Sequence, residues 1–307
     1  MISRRQFLST LAPAAASPFL LRTTALSQLL AKDHPLIDNI GLQLYTVRDA
    51  LAAQPQQTIE AIQRAGFKQV EPTDTQMLPQ LVPIFQNLGI AVRSCHILPP
   101  FITGNWDPLV SMGVPRPSES YTLEKVIEQA ASYGLDYLVF PFIFPQNRGG
   151  LDFYKSLAEK LNRMGESCQK AGIQLCYHNH SFEFQPMEDT TPFQTLWNES
   201  DADLLQFEVD VFWVSLAGMD PAQFIRDHGA RTKLLHLKDK TAGTPQTYNN
   251  TLPLEAFRPV GSGSLDFVAI LSAAEEVGVT NCFVEQDQSE DALASIRKSI
   301  EYLSSKF

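Results

Sequence analysis

Five times along this chain an amphipathic stretch runs into a glycine and, one or two residues later, a short apolar run begins: at Gly66, Gly89, Gly134, Gly172 and Gly278. Glycine closes a helix with a left-handed turn at low steric cost, so the joint reads as a helix feeding a strand. Eight short apolar runs can be counted, at 40–44, 69–71, 91–96, 137–140, 174–178, 205–209, 233–237 and 282–285. Amphipathic segments at 57–65, 78–88, 123–133, 153–171, 221–227, 267–276 and 291–303 lie between and after them. Strands that alternate with helices build a parallel sheet, and eight such units favour an α/β fold of the closed (β/α)8 TIM barrel type over an open doubly wound sheet. No GxGxxG follows the first run to suggest a dinucleotide site. The 307 residues, 44% hydrophobic and 19% charged, hold enough apolar matter for one large core, which excludes disorder and does not require two domains.

Ahead of this pattern, Ser3-Arg4-Arg5-Gln6-Phe7-Leu8 precedes an apolar, alanine-rich run at 11–21. The arrangement resembles a twin-arginine export signal, with a charged head and an apolar stretch shorter than the ~20 residues that span a bilayer. Residues 1–32 are therefore expected to be a signal and linker, and 33–307 the barrel. That reading implies passage through the twin-arginine (Tat) machinery, a periplasmic address and no stable membrane anchor, since no cysteine follows the run to carry a lipid. Cys95, Cys168, Cys176 and Cys282 form no CxxC pair and read as buried free thiols. The net charge of -10 argues against a nucleic-acid partner, because phosphate backbones are held by clustered Lys and Arg. Two long connections, 98–120 and 240–264, the second containing Gly261-Ser262-Gly263, follow strands and are expected to cover the active face.

In a barrel, chemistry gathers where the strands finish. The polar residues at those ends are Gln43 and Tyr45, Glu71, His96, Tyr177-His178-Asn179-His180 with Glu183 beyond, Glu208 and Asp210, His236-Leu237-Lys238-Asp239, and Glu285-Gln286-Asp287. Carboxylates crowded in a partly dry bowl repel one another, and a divalent cation offsets that repulsion. His178 and His180 stand two apart, so either both point inward or the strand ends between them. His96 reads as a substrate hydrogen-bond donor or a satisfied loop histidine, and Glu71 and Lys238 as substrate contacts or members of an ion pair. His34 and His228 read as surface residues.

Taken together, Gly41-Leu42-Gln43-Leu44-Tyr45-Thr46-Val47-Arg48, Tyr177-His178-Asn179-His180, Glu208-Val209-Asp210, His236-Leu237-Lys238-Asp239, Gly261-Ser262-Gly263 and Val284-Glu285-Gln286-Asp287 resemble the xylose-isomerase-like barrels. That superfamily includes sugar phosphate isomerases and epimerases, inosose dehydratases and a branch of apurinic endonucleases. The resemblance implies one divalent metal ion, held by a Glu, an Asp, a His and a Glu on the fifth to eighth strands. The matching positions are His178, Asp210, His236 and Glu285. The first departs from the pattern: either His178 coordinates through its imidazole or Glu183 swings in to supply a carboxylate. A second departure is Trp213, where ketose epimerases carry a His; Trp213 is then expected to form an apolar wall for sugar stacking.

A mixed imidazole and carboxylate set suits Mn or Zn, with Co, Fe or Mg also compatible. The activity implied is a metal-dependent sugar isomerase or epimerase that takes a proton next to a carbonyl through a metal-stabilised enediolate. Glu285 is the preferred acid or base, with Glu183 or His178 as its partner, and Gln43, Glu71, His96, His180, Trp213 and Lys238 are the substrate contacts. The runner-up is a metal-dependent lyase acting on an inosose or a 3-keto-glycoside, and a further alternative is a non-catalytic sugar-binding barrel. The expected partner is a small carbohydrate, with self-association into a homo-oligomer left open.

Overall fold

The computed structural model describes residues 35–307; the expected export signal at 1–32 and His34 lie outside the described residues. Ten strands run in chain order as β1 Gly41–Gln43, β2 Gln69–Glu71, β3 Ser94–His96, β4 Tyr137–Phe140, β5 Gln174–His178, β6 Leu205–Asp210, β7 Thr232–Leu237, β8 Asp239–Lys240, β9 Phe257–Arg258 and β10 Asn281–Val284. Eight of them form one sheet in the order β2-β1-β10-β7-β6-β5-β4-β3. Its neighbours pair in parallel. The ends of that order meet, because Val70 N–H donates to Ala91 O and Ala91 N–H to Lys68 O, each at 2.9 Å, and the sheet curls into a barrel. β8 and β9 make a separate antiparallel hairpin.

All eight apolar runs became barrel strands. The third is shorter than expected, since Ala91 joins Gln69 only through an isolated bridge and the strand proper starts at Ser94. The strands are buried on both faces, as a parallel sheet jacketed by helices must be, and so they read as continuous apolar runs rather than alternating ones. The seven expected helices appear as Pro55–Ala65, Leu78–Asn87, Leu123–Ser132, Leu151–Lys170, Pro221–His228, Phe267–Glu276 and Ala292–Lys306. The five joint glycines all take positive φ, from 72° to 101°. A different glycine, Gly165, lets the helix Leu151–Lys170 lie directly on the chain entering β6: a Cβ there would stand 2.6 Å from Leu204 O.

Both long connections are more ordered than irregular covers. The first contains the short helices Pro100–Thr103 and Asp107–Ser111, and the second opens with the β8–β9 hairpin. The Gly261-Ser262-Gly263 motif cradles the Asp239 carboxylate, which accepts from the N–H groups of Gly261, Gly263, Ser264 and Leu265 at 2.8 to 3.1 Å. A Cβ at 263 would fall 2.4 Å from Asp239 Oδ1, so only glycine permits this approach.

The four cysteines are buried free thiols. His228 departs from its expected surface position. It is half-buried, stacks on Phe224 at 4.1 Å and meets Trp197 edge-on at 4.8 Å, because an imidazole ring packs readily against aromatic neighbours. No helix among the described residues is long and apolar enough to cross a membrane.

Candidate active site

Four strand ends each send two side chains, two residues apart, into the same bowl: His178 and His180, Glu208 and Asp210, His236 and Lys238, Glu285 and Asp287. Residues i and i+2 share a face of an extended chain, so one inward residue brings the next with it. An extra residue in β7 sets the heights. Phe207 pairs with Thr232 but Glu208 with Leu234, a bulge that places Asp210 opposite His236.

The lower ring centres on Glu208. Its Oε2 lies 3.0 Å from His178 Nδ1 and 3.2 Å from both His96 Nε2 and His236 Nε2. Glu71 closes the ring from β2, with Oε2 at 2.8 Å from His236 Nε2 and 3.2 Å from His96 Nε2. Beneath, Gln43 Nε2 donates to Glu71 Oε2 at 2.7 Å, and the Ser94 hydroxyl donates to Glu71 Oε1. In the upper ring His236 Nδ1 meets Glu285 Oε2 at 2.8 Å, and His178 Nε2 faces Asp210 Oδ2 at 3.8 Å. Lys238 Nζ sits among three carboxylates, 2.5 Å from Asp287 Oδ1, 2.9 Å from Glu285 Oε2 and 3.0 Å from Asp210 Oδ2. The repulsion expected among these acids is thus offset by the protein's own ammonium as well as by imidazoles.

Burial opposes a charge on each of these groups, and the pairings decide which keep one. For Lys238 the three carboxylates outweigh burial and hold the ammonium well above its ordinary range. His236 is likewise held well above the usual histidine value by Glu208 and Glu285. Glu71 and Glu208 overcome burial at His96 and lift it to about 9. Against the same burial, Lys238 and His236 keep Glu285 well below the usual carboxylate range, and His236 with His178 and His96 does so for Glu208. Burial prevails elsewhere. It lowers His178 and, with the neighbouring His178 and Lys238, pushes His180 far down. It raises Asp287 to about 6 despite Lys238.

Two quartets place one donor atom per residue within 4.8 Å of one another: His178, Asp210, His236 and Glu285, and His96, His178, Glu208 and His236. The first is the set that the sequence resemblance implied. The donors suit a divalent ion by a further sign, since Glu208 Oε1 and Asp210 Oδ2 are buried without a hydrogen-bond partner. Lys238 reaches Asp210 Oδ2 only as an ion pair. The Glu183 carboxylate accepts from Tyr177 OH and from His180 N–H, each at 2.8 Å, and in this arrangement it belongs to neither quartet.

A cavity of about 320 Å³ opens over the upper ring, and His96, His178, His180, Trp213, Lys238, Glu285 and Asp287 reach it. Gln43 and Glu71, expected as substrate contacts, have no exposed surface; Glu71 is held against His96 and His236, and Gln43 donates to Glu71. Trp213 borders the cavity but is 1% exposed, packed against His180 at 5.0 Å and lying 5.3 Å from Lys238 Nζ. It fixes those two side chains instead of offering an open stacking wall. Glu208 and Asp287 stand among the strand-end polar residues named from the sequence but were given no role there. The signal was there, since each stands two residues from a candidate ligand on the same strand face.

A profile of xylose isomerase-like TIM barrels matches residues 59–306. The chain belongs to that family. Among proteins of known name, it is similar to inosose dehydratases of Lacticaseibacillus casei, 25% identical over 151 residues, and of Geobacillus thermodenitrificans, 23% over 146 residues. Those matches take in 47% and 45% of this chain and 50% and 48% of the relatives, so the chain spans about half the length of the curated relatives it matches. Among solved structures, a sugar phosphate isomerase/epimerase from Parabacteroides distasonis superposes with a TM-score of 0.67 at 22% identity, covering 89% of this chain and 95% of the other. The IOLI protein, solved with a binding zinc atom, gives 0.64 at 14% identity over 87% of this chain and 97% of its own. At these identities the structures establish a shared fold.

Proposed function

We propose that this protein is a divalent-metal-dependent enzyme of carbohydrate metabolism that removes a proton from the carbon next to a carbonyl, with isomerisation or epimerisation as its outcome. The observation that carries this reading is the quartet of His178, Asp210, His236 and Glu285, four buried donors within 4.8 Å of one another at the strand-end mouth of the barrel. Those residues would hold the ion, and the zinc described for the IOLI protein supports the assignment. Bound there, a Mn or Zn ion supplies Lewis-acid stabilisation of negative charge on a substrate oxygen.

The chain's own residues do the rest. Glu285 contacts His236 and Lys238 through Oε2, and its other oxygen is assigned to proton transfer. His178, whose Nδ1 meets Glu208 and whose Nε2 faces Asp210, would serve as a ligand and has no nitrogen left to carry a substrate proton. His96 reaches the cavity and holds a hydrogen-bonding position for a hydroxyl group, while Lys238 keeps the surrounding carboxylates in place.

A second reading is favoured by the inosose dehydratase relatives: the same proton removal followed by expulsion of a neighbouring oxygen substituent, which makes the enzyme a lyase. One experiment tests both. The Mn- or Zn-loaded protein is incubated in D2O with free ketoses, an inosose and a 3-keto-glycoside, and followed by NMR. Deuterium incorporation next to the carbonyl supports the shared step, while an epimer or isomer, against a dehydrated product or a released aglycone, separates the outcomes. No exchange with any of them overturns the catalytic reading and leaves the sugar-binding alternative. The twin-arginine leader motif at 3–8 supports a periplasmic site of action, tested by fractionating cells that express the full chain.

A further inference from the structure

The cavity has two chemically different ends. Its floor is the charged network of histidines, carboxylates and Lys238. Its outer half is formed by Leu98, Leu109, Met112, Phe142, Phe144 and Tyr45, a wall of aliphatic and aromatic side chains. Among the described residues the exposed large hydrophobic side chains are Tyr45 at 39%, Val110 at 53%, Met112 at 67% and Val268 at 50%, and the first three gather at this mouth or beside it. Apolar surface kept in water next to a polar site marks a place that a ligand covers. A flexible thioether such as Met112 adapts to the shape of what it covers.

The charge pattern narrows the ligand. Lys238 is the single Lys or Arg among the described residues lining the cavity, and its ammonium is committed to Asp210, Glu285 and Asp287. The nearby Arg148 is also spoken for: Nε donates to Ile143 O, Nη2 donates to Asn250 Oδ1, and the guanidinium lies 3.4 Å from the centre of the Phe182 ring. A phosphate or carboxylate group entering here would find acids and, among the described residues lining the cavity, no Lys or Arg besides the engaged Lys238. From this we infer that the substrate is an unphosphorylated carbohydrate carrying an uncharged apolar or aromatic substituent, its hydroxyl groups on the floor and its substituent in the outer chamber. The inference rests on the carbohydrate reading of the floor and deepens it.

The test is binding, not turnover. Phenyl and methyl β-glycosides of glucose, galactose and xylose, glucose 6-phosphate, galactose 6-phosphate and p-cresol are titrated against the full-length protein by NMR. For the sugar configuration that binds, the phenyl glycoside should bind at least about tenfold more tightly than the methyl glycoside, as burial of an aromatic ring dictates, with p-cresol and the 6-phosphates weaker than both. In the rim variant Met112→Ser/Phe144→Ser, the phenyl preference should shrink at least about threefold with the methyl glycoside unchanged. Equal affinity for phenyl and methyl glycosides, or tighter binding of a 6-phosphate, overturns the inference while leaving the carbohydrate reading intact. Binding of p-cresol as tight as the phenyl glycosides, or of no sugar at all, overturns it from the other side, because the floor is then not a sugar site.

Discussion

Replacing Glu183 by glutamine removes a charge from the barrel interior while keeping its hydrogen-bonding positions filled. Glu183 has no exposed surface, and its oxygens accept from Tyr177 OH and His180 N–H. In Glu183→Gln the side-chain amide oxygen can still accept from His180 N–H, and the NH2 can donate to the Tyr177 oxygen. Burial outweighs those hydrogen bonds and the nearby Arg148, and raises the Glu183 carboxyl from 4.5 to about 7. A carboxyl with a raised folded-state value binds its proton more tightly when folded. Its contribution is therefore fully present below about 4.5 and is lost as pH rises through about 7. The shift corresponds to about 3 kcal/mol by pH 8.5, about 2 kcal/mol at pH 6 and under about 1 kcal/mol at pH 5. Glu183→Gln does not incur this loss. Thermal unfolding followed by circular dichroism should show the variant melting roughly 5–10 °C above the parent at pH 8.5, and within about 3 °C of it at pH 5. Groups common to both proteins cancel in the difference. A gap that stays constant between pH 5 and 8.5, or a variant less stable at high pH, would refute the view that an uncompensated buried carboxylate is what Glu183 costs.

Four further substitutions, the last of them a control, test other parts of the structure. Lys238→Met strands three carboxylates without their ammonium, so the metal-free variant should lose about 3–5 kcal/mol, seen as a lower melting temperature in EDTA, and should regain more on adding Mn or Zn than the parent does. Equal gains in both would show that the ammonium and the ion do not share the same acids. Asp239→Ala leaves the N–H groups of Gly261, Gly263, Ser264 and Leu265 without their acceptor; a loss of about 2 kcal/mol or more, with faster amide exchange confined to 261–265, is expected in hydrogen-exchange measurements. Gly165→Ala forces a methyl group against Leu204 O and should cost about 1–3 kcal/mol in denaturant unfolding, whereas alanine at Gly150, which meets nothing within 4 Å, should be nearly neutral.

The architecture was legible in the chain because it repeats. A helix ended by glycine, then a buried strand, announces itself five times, and all eight barrel strands fell where apolar runs stood. The first donor quartet was implied by the resemblance of the strand-end motifs to a known family, and its members lie at or next to the ends of their strands. The helices Pro192–Glu199 and Val211–Leu216 were not read from the sequence. The second is short and begins at Asp210 itself, whose carboxylate accepts from Phe212 and Trp213 N–H and caps it.

Periodicity and turn chemistry act locally, so the linear chain carries the order of elements and the identity of the residues at the strand ends. Which of those polar groups meet is settled by folding alone. The β6–β7 bulge sets Asp210 opposite His236, and curling of the sheet brings Glu71 from β2 to His236 on β7 across 165 residues. The same closure puts Glu208 at the centre of the lower ring and gives Lys238 three acids to answer. Such pairings depend on distances of about 3 Å between groups remote in the chain, where electrostatic and hydrogen-bond energies change steeply with small displacements, and no local pattern encodes them.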